Sequence, residues 1–196
     1  MSKKSENELS PTTDKTLFGF WLYLMTDLAL FATLFATFAV LRTSVANGPS
    51  GRDITDMPYV LTETMILLMS SFTAGVALLS AKTKNKKNTL VFLAITFVLG
   101  AIFVGMEISE FHKLYAEGNS WRESGFLSAF FTLVGTHGLH ITAGLIWLAV
   151  MMFSIYKKGF NGPILKRLMM FSLFWHFLDI VWIFIFTIVY LLGVAS

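Results

Sequence analysis

The chain has 196 residues, of which 55% are hydrophobic, with 20 Phe, no Cys and a formal net charge of +3; its mean hydropathy is +0.68. Such a composition excludes an ordinary water-soluble domain and points to an integral membrane protein. The absence of Cys removes disulfides, thiolate zinc, iron-sulfur clusters, c-type haem attachment and thiolate-bridged copper from this chain. The basic balance does not call for a nucleic-acid partner, because the cations are confined to short segments between long uncharged runs.

The first 16 residues, MSKKSENELSPTTDKT, are hydrophilic and charge-balanced. They lack the pattern of a cleaved signal peptide, so residues 1–16 read as a tail and the first apolar run as an uncleaved anchor. A helix rises about 1.5 Å per residue and the hydrocarbon core is about 30 Å thick, so roughly 20 apolar residues cross it. Five stretches qualify: Leu17 to Leu41, Tyr59 to Ala81, Thr89 to Leu114, Gly125 to Tyr156, and Leu168 to Val194. The expected fold is all-α, a single five-helix transmembrane domain over residues 17–196, with no internal repeat.

The loops set an orientation. With five spans, the N-terminus shares a side with the second and fourth loops. That side carries Lys3, Lys4, Lys15, Lys82, Lys84, Lys86, Lys87, Lys157, Lys158, Lys166 and Arg167, against Arg42, Arg52, Lys113 and Arg122 opposite. The excess of basic residues predicts a cytoplasmic N-terminus and a periplasmic C-terminus. Tyr115, Trp121, Tyr156 and Tyr190, near helix ends, suit the aromatic belt at the membrane-water boundaries.

Ionisable groups within the spans are the functional candidates, because lipid offers them no hydrogen bonds. They are Asp27, Glu63, Glu107, Glu110, His137, His140, His176 and Asp179. No Lys or Arg in the spans offers them a partner, so the carboxyls are expected to be protonated, paired with His, or near an interface. Glu63, Glu107 and Glu110 belong near the outer face. Asp27, in LYLMTDLALF, is isolated at mid-membrane, a position that suits either a proton carrier or an interhelical hydrogen bond.

His137 and His140 in GTHGLHITAG, and His176 and Asp179 in FWHFLDIVW, are each spaced i, i+3 at similar depth. The two pairs are expected to meet across a helix interface that Gly144 brings close. Two readings of that meeting stay open on the residues alone: a buried polar packing network, or a bis-histidine haem or metal site. The second needs three or four converging ligands, and three histidines and an aspartate barely supply them.

GFLSAFFTLVGTHGLHITAGLIWLAV from Gly125 and FSLFWHFLDIVWIFIFTIVYLLG from Phe171 closely resemble subunit III of the haem-copper terminal oxidases. LFGFWLYLMTDLALFATLFATFAVL and GMEISEFHKL extend the likeness over essentially the whole chain after the tail. Five spans and a short tail resemble the cytochrome o (bo-type) ubiquinol oxidase branch in particular. At the position of Asp27 the cytochrome c branch usually carries a glutamate, one methylene longer.

The resemblance implies a non-catalytic subunit of a proton-pumping, oxygen-reducing quinol oxidase in the bacterial inner membrane. It implies no catalytic, cofactor-binding or metal residue here: haems and copper belong to subunit I, beside further subunits II and IV, and phospholipid binds between the helices. Under it, His137, His140, His176 and Asp179 become bundle residues. The alternatives are an accessory chain of a nitric oxide reductase or cytochrome c oxidase, an independent haem or metal protein, or a proton transporter built on Asp27 and Asp179.

Overall fold

In the computed structural model, described over residues 11–42, 44, 56–116, 118, 124–159 and 162–191, every regular element is helical. The helices are α1 (Pro11–Leu41), α2 (Met57–Lys82), α3 (Lys86–Ala116), α4 (Gly125–Lys158) and α5 (Gly162–Ile185), the last continuing as a π-helical turn over Phe186–Leu191. All five are long and apolar enough to cross a membrane. They outrun the expected spans at most ends, because backbone hydrogen bonding carries a helix past the point where its side chains become polar. α1 begins at Pro11, inside the expected tail, with proline where its missing N–H costs nothing. Residues 1–10 of that tail, Arg52, Trp121, Arg122 and the end of the fifth span at Val194 lie outside the described residues.

Local chemistry sets the turns. Lys84 takes a left-handed conformation, φ 57°, between α2 and α3, and the Asn85 side chain accepts the Asn88 N–H at 3.2 Å to cap α3. Lys86 Nζ donates to the Tyr156 carbonyl at 2.9 Å, tying the start of α3 to the last turns of α4. Ser124 caps α4 by accepting the Leu127 N–H at 3.1 Å, and Gly159, φ 68°, ends it.

α2 and α3 form a hairpin, α3 packs on α4, α4 on α5, and α5 closes back on α2; α1 lies outside this ring against α4 and α5. α1 consequently buries one narrow stripe, Leu24, Asp27, Phe31 and Phe38. Its remaining faces, like Phe72, Leu79, Leu139 and Phe153 elsewhere, present apolar side chains outward, as lipid requires.

Trp175 holds the ring together. It is 1% exposed, and its six-membered ring lies over Gly100 of α3 and Gly144 of α4, where an added Cβ would come within 3.0 and 2.9 Å of it. Its Nε1 donates to Ser70 Oγ of α2 at 3.2 Å, Ser70 donates to the Thr96 carbonyl at 3.3 Å, and the Thr73 and Thr96 hydroxyls bond at 2.8 Å. One side chain of α5 thus touches three helices. In lipid, where apolar tails compete equally for apolar surface, such close fitting and interhelical hydrogen bonds are what associate helices.

Candidate functional site: three intramembrane polar clusters

The intramembrane ionisable groups sort into three clusters, each joining a different set of helices. The first lies toward the end of the bundle opposite the α2–α3 turn. Glu63 of α2, Glu107 and Glu110 of α3 and Tyr190 of the π-helical turn are close enough to interact electrostatically. Tyr190 Oη donates to Glu110 Oε2 at 3.0 Å, and Tyr59 Oη donates to the Met106 carbonyl at 2.9 Å. The Glu107 carboxylate lies on Gly138 of α4, where a side chain would occupy its place. Glu63 is fully buried and Glu107 and Glu110 nearly so.

His137 sits beside this cluster in an aromatic cage. Its ring stacks on Trp182 at 5.2 Å and 29° and meets Phe103 and Phe31 edge-on. Trp182 in turn donates to Thr64 Oγ1 at 3.1 Å. Both His137 ring nitrogens, both Glu63 carboxylate oxygens and Glu107 Oε1 are enclosed without a hydrogen-bond partner among the described residues.

The second cluster joins α1 to α4. His140 Nδ1 lies 2.7 Å from the Thr136 carbonyl, one turn back on its own helix. A hydrogen bond there makes Nδ1 the protonated nitrogen and turns Nε2 toward Asp27 Oδ1, 3.8 Å away. Phe31 packs on the imidazole at 5.3 Å.

The third joins α2 to α5. Ser71 Oγ is 2.7 Å from His176 Nδ1 and within hydrogen-bonding reach of Asp179. The imidazole lies over Gly75, 3.8 Å from where a Cβ would stand.

Three expectations are corrected. The pair His137 and His140 does not meet the pair His176 and Asp179; no hydrogen bond or ion pair links them among the described residues. Trp175 fills the α4–α5 contact near Gly144, while His140 turns to Asp27 of α1 and His176 and Asp179 both turn to Ser71 of α2. Asp27 is not isolated, since α1 packs against the His140 face. Tyr190 does not belong to the boundary belt: it is 1% exposed, whereas Tyr115 and Tyr156 are 72% and 70% exposed, and a buried hydroxyl needs the acceptor that Glu110 supplies.

Trp175, Trp182, Ser70, Ser71 and Thr64 escaped the sequence reading, because a hydroxyl or indole in an apolar run carries no charge signal. The i, i+4 spacing of Ser71 and Gly75 against His176 is the one pattern that points to any of them.

The chemistry open to these clusters is narrow. Among the described residues no three His, Asp or Glu side chains converge as a metal site requires. Ser71, His176 and Asp179 do not form a hydrolytic triad either. Serine and aspartate there engage opposite imidazole nitrogens, whereas here Ser71 takes Nδ1 and neighbours Asp179 as well. Each cluster brings together side chains from different helices.

The comparisons agree with a bundle subunit. A family described as cytochrome c oxidase subunit III matches residues 7–194. The chain is 59% identical over 178 residues to cytochrome bo(3) ubiquinol oxidase subunit 3 of Pseudomonas aeruginosa, covering 91% of this chain and 85% of the relative. It is 59% identical over 179 residues to the protein of that name from Pseudomonas putida, covering 91% and 86%. It is also 44% identical over 178 residues to cytochrome c oxidase subunit 3 of Bacillus sp. PS3, covering 91% and 86%.

Proposed function

The chain belongs to the cytochrome c oxidase subunit III family, and from that premise we propose that it is the third subunit of a bo-type ubiquinol oxidase. The observation that carries the choice of the quinol branch is the 59% identity to two chains so named, against 44% to a chain named for cytochrome c. The complex oxidises quinol and reduces oxygen to water at the haems and copper of subunit I. This chain performs no redox step; it supports subunit I alongside subunits II and IV, and holds phospholipid between its helices. It is a multi-pass protein of the bacterial inner membrane with its lysine-rich turns in the cytoplasm.

The way the three clusters join helices supports this reading. A chain whose intramembrane His137, His140 and His176 are caged by aromatics or hydrogen-bonded to its own helices offers a rigid surface and little reactive chemistry. Gentle solubilisation of the native membrane, followed by affinity purification through this chain, should bring down a haem-copper subunit with quinol oxidase activity. Recovery of the chain alone, or with a copper-bearing cytochrome c oxidase subunit II, overturns the proposal.

Asp27 tests whether the chain also handles protons. Asp27→Asn keeps the shape and most hydrogen-bonding capacity beside His140 but removes the exchangeable proton. For a supporting subunit, quinol-oxidase turnover, its persistence over repeated cycles, and proton ejection from vesicles should all stay at the wild-type level. A selective drop in proton ejection would assign Asp27 a role in proton movement.

A further inference from the structure

The first cluster gathers more unanswered polar atoms than any other part of the described bundle. Both ring nitrogens of His137, both carboxyl oxygens of Glu63 and Oε1 of Glu107 are enclosed without a hydrogen-bond partner among the described residues. His137 and Glu63 are 0% exposed. Buried polar groups in folded proteins are almost always bonded, and those left over point to an internal water or ion.

The three side chains come to one place from three helices. Glu63 of α2 and Glu107 of α3 interact electrostatically, yet neither Glu63 oxygen has a hydrogen-bond partner; that separation is what a bridging molecule spans. The Glu107 carboxylate lies on Gly138 of α4, the residue after His137. The His137 ring stacks on Trp182, whose indole N–H reaches Thr64, the residue after Glu63. The donors around them are committed: Trp182 to Thr64, Thr64 to the Val60 carbonyl, Tyr190 to Glu110 and Tyr59 to the Met106 carbonyl.

The chemistry of this set selects its ligand. A neutral imidazole presents one N–H donor and one bare nitrogen acceptor, so the ligand must both accept and donate. A metal ion would leave the N–H unanswered, and among the described residues no three His, Asp or Glu side chains could hold one. An ammonium group only donates, and a lipid headgroup does not reach enclosed atoms. Water donates and accepts, and internal waters make about three bonds each to groups of this kind.

We propose that Glu63, Glu107 and His137 enclose an internal water site, in which bound water bridges the two carboxyls and the imidazole across α2, α3 and α4. The proposal goes beyond the oxidase reading and does not depend on which oxidase holds the chain.

Two tryptophans of α5 supply the test with its own control. Trp182 is 0% and Trp175 1% exposed, so radicals formed in bulk water reach neither, whereas hydroxyl radicals formed by X-ray radiolysis of a bound water oxidise the side chains beside it. Trp182 touches the proposed site. Trp175 is bonded to Ser70, two turns along α2 from Glu63. The purified oxidase is exposed to millisecond X-ray pulses, and fragmentation in a mass spectrometer places the added oxygen. Trp182 should gain oxygen several-fold faster than Trp175. Glu63→Leu should bring Trp182 down to the Trp175 rate, Glu63→Gln, which keeps a polar group, should preserve it, and exchange of sodium and potassium for choline should change nothing.

Equal rates at Trp182 and Trp175 overturn the proposal, and that comparison needs no variant, so it decides even where Glu63→Leu does not assemble. Undiminished oxidation of Trp182 in assembled Glu63→Leu also overturns it, as does a rate that collapses in choline, which makes the ligand a cation. The oxidase reading stands or falls separately, on the co-purification.

Discussion

Trp175→Ala should lower the stability of the bundle by about 3–5 kcal/mol, the range for removing a large buried aromatic. The ring is 1% exposed, it fills the space over Gly100 and Gly144, and its indole N–H is the donor to Ser70. Truncation therefore opens a void bounded by three helices and takes away the donor to a hydroxyl that keeps only its own bond to the Thr96 carbonyl. The expected readout is a large fall in the amount of this chain retained per haem in purified oxidase, and a lower unfolding temperature of what remains. Trp175→Phe keeps most of the volume and loses the hydrogen bond, so it should retain the larger part of both. Retention equal to wild type in Trp175→Ala would show that the wedge contributes little.

Gly144→Val should be comparably damaging for the opposite reason. A Cβ at this position would stand 2.9 Å from the Trp175 ring and 3.2 Å from Phe174, and rigid rings cannot fold out of the way as a flexible side chain can. Overpacking of this kind costs about 1–3 kcal/mol; the valine branch presses further into the same space. The matched control is Gly105→Val on α3, where nothing lies within 4 Å of the new Cβ. Thermal unfolding of detergent-solubilised oxidase should separate the two variants clearly, Gly144→Val falling and Gly105→Val staying near wild type. Equal effects would trace the loss to the helix backbone and not to packing.

The two substitutions bracket one contact that the sequence only half discloses. Gly144 stands out in GTHGLHITAG as a place for close approach, but nothing in the apolar run FSLFWHFLDIVW distinguishes Trp175 from Trp182 as the side chain that fills it. The expected meeting of GTHGLHITAG with FWHFLDIVW fails for a related reason. Equal depth and equal spacing make two pairs able to meet, but the rotation of each helix about its axis decides whether they do. α5 turns Trp175 toward α4 and His176 toward α2, so the histidines answer to Asp27, Ser71 and an aromatic cage in place of one another.

Some features were determined by the sequence alone. Five apolar runs of spanning length, four short polar connections and the lysine bias between them follow from composition and spacing, because each depends only on a local cost of placing backbone and charge in lipid. The membership in the oxidase subunit III family likewise rests on two contiguous motifs. Only the tertiary structure decided which carboxyl meets which histidine, that Tyr190 turns inward to Glu110, and that Ser71 rather than His140 is the partner of His176. Those outcomes depend on helix rotation and order around the ring, and in lipid they are set by the close packing of side chains such as Trp175 against Gly100 and Gly144, which no single stretch of sequence encodes.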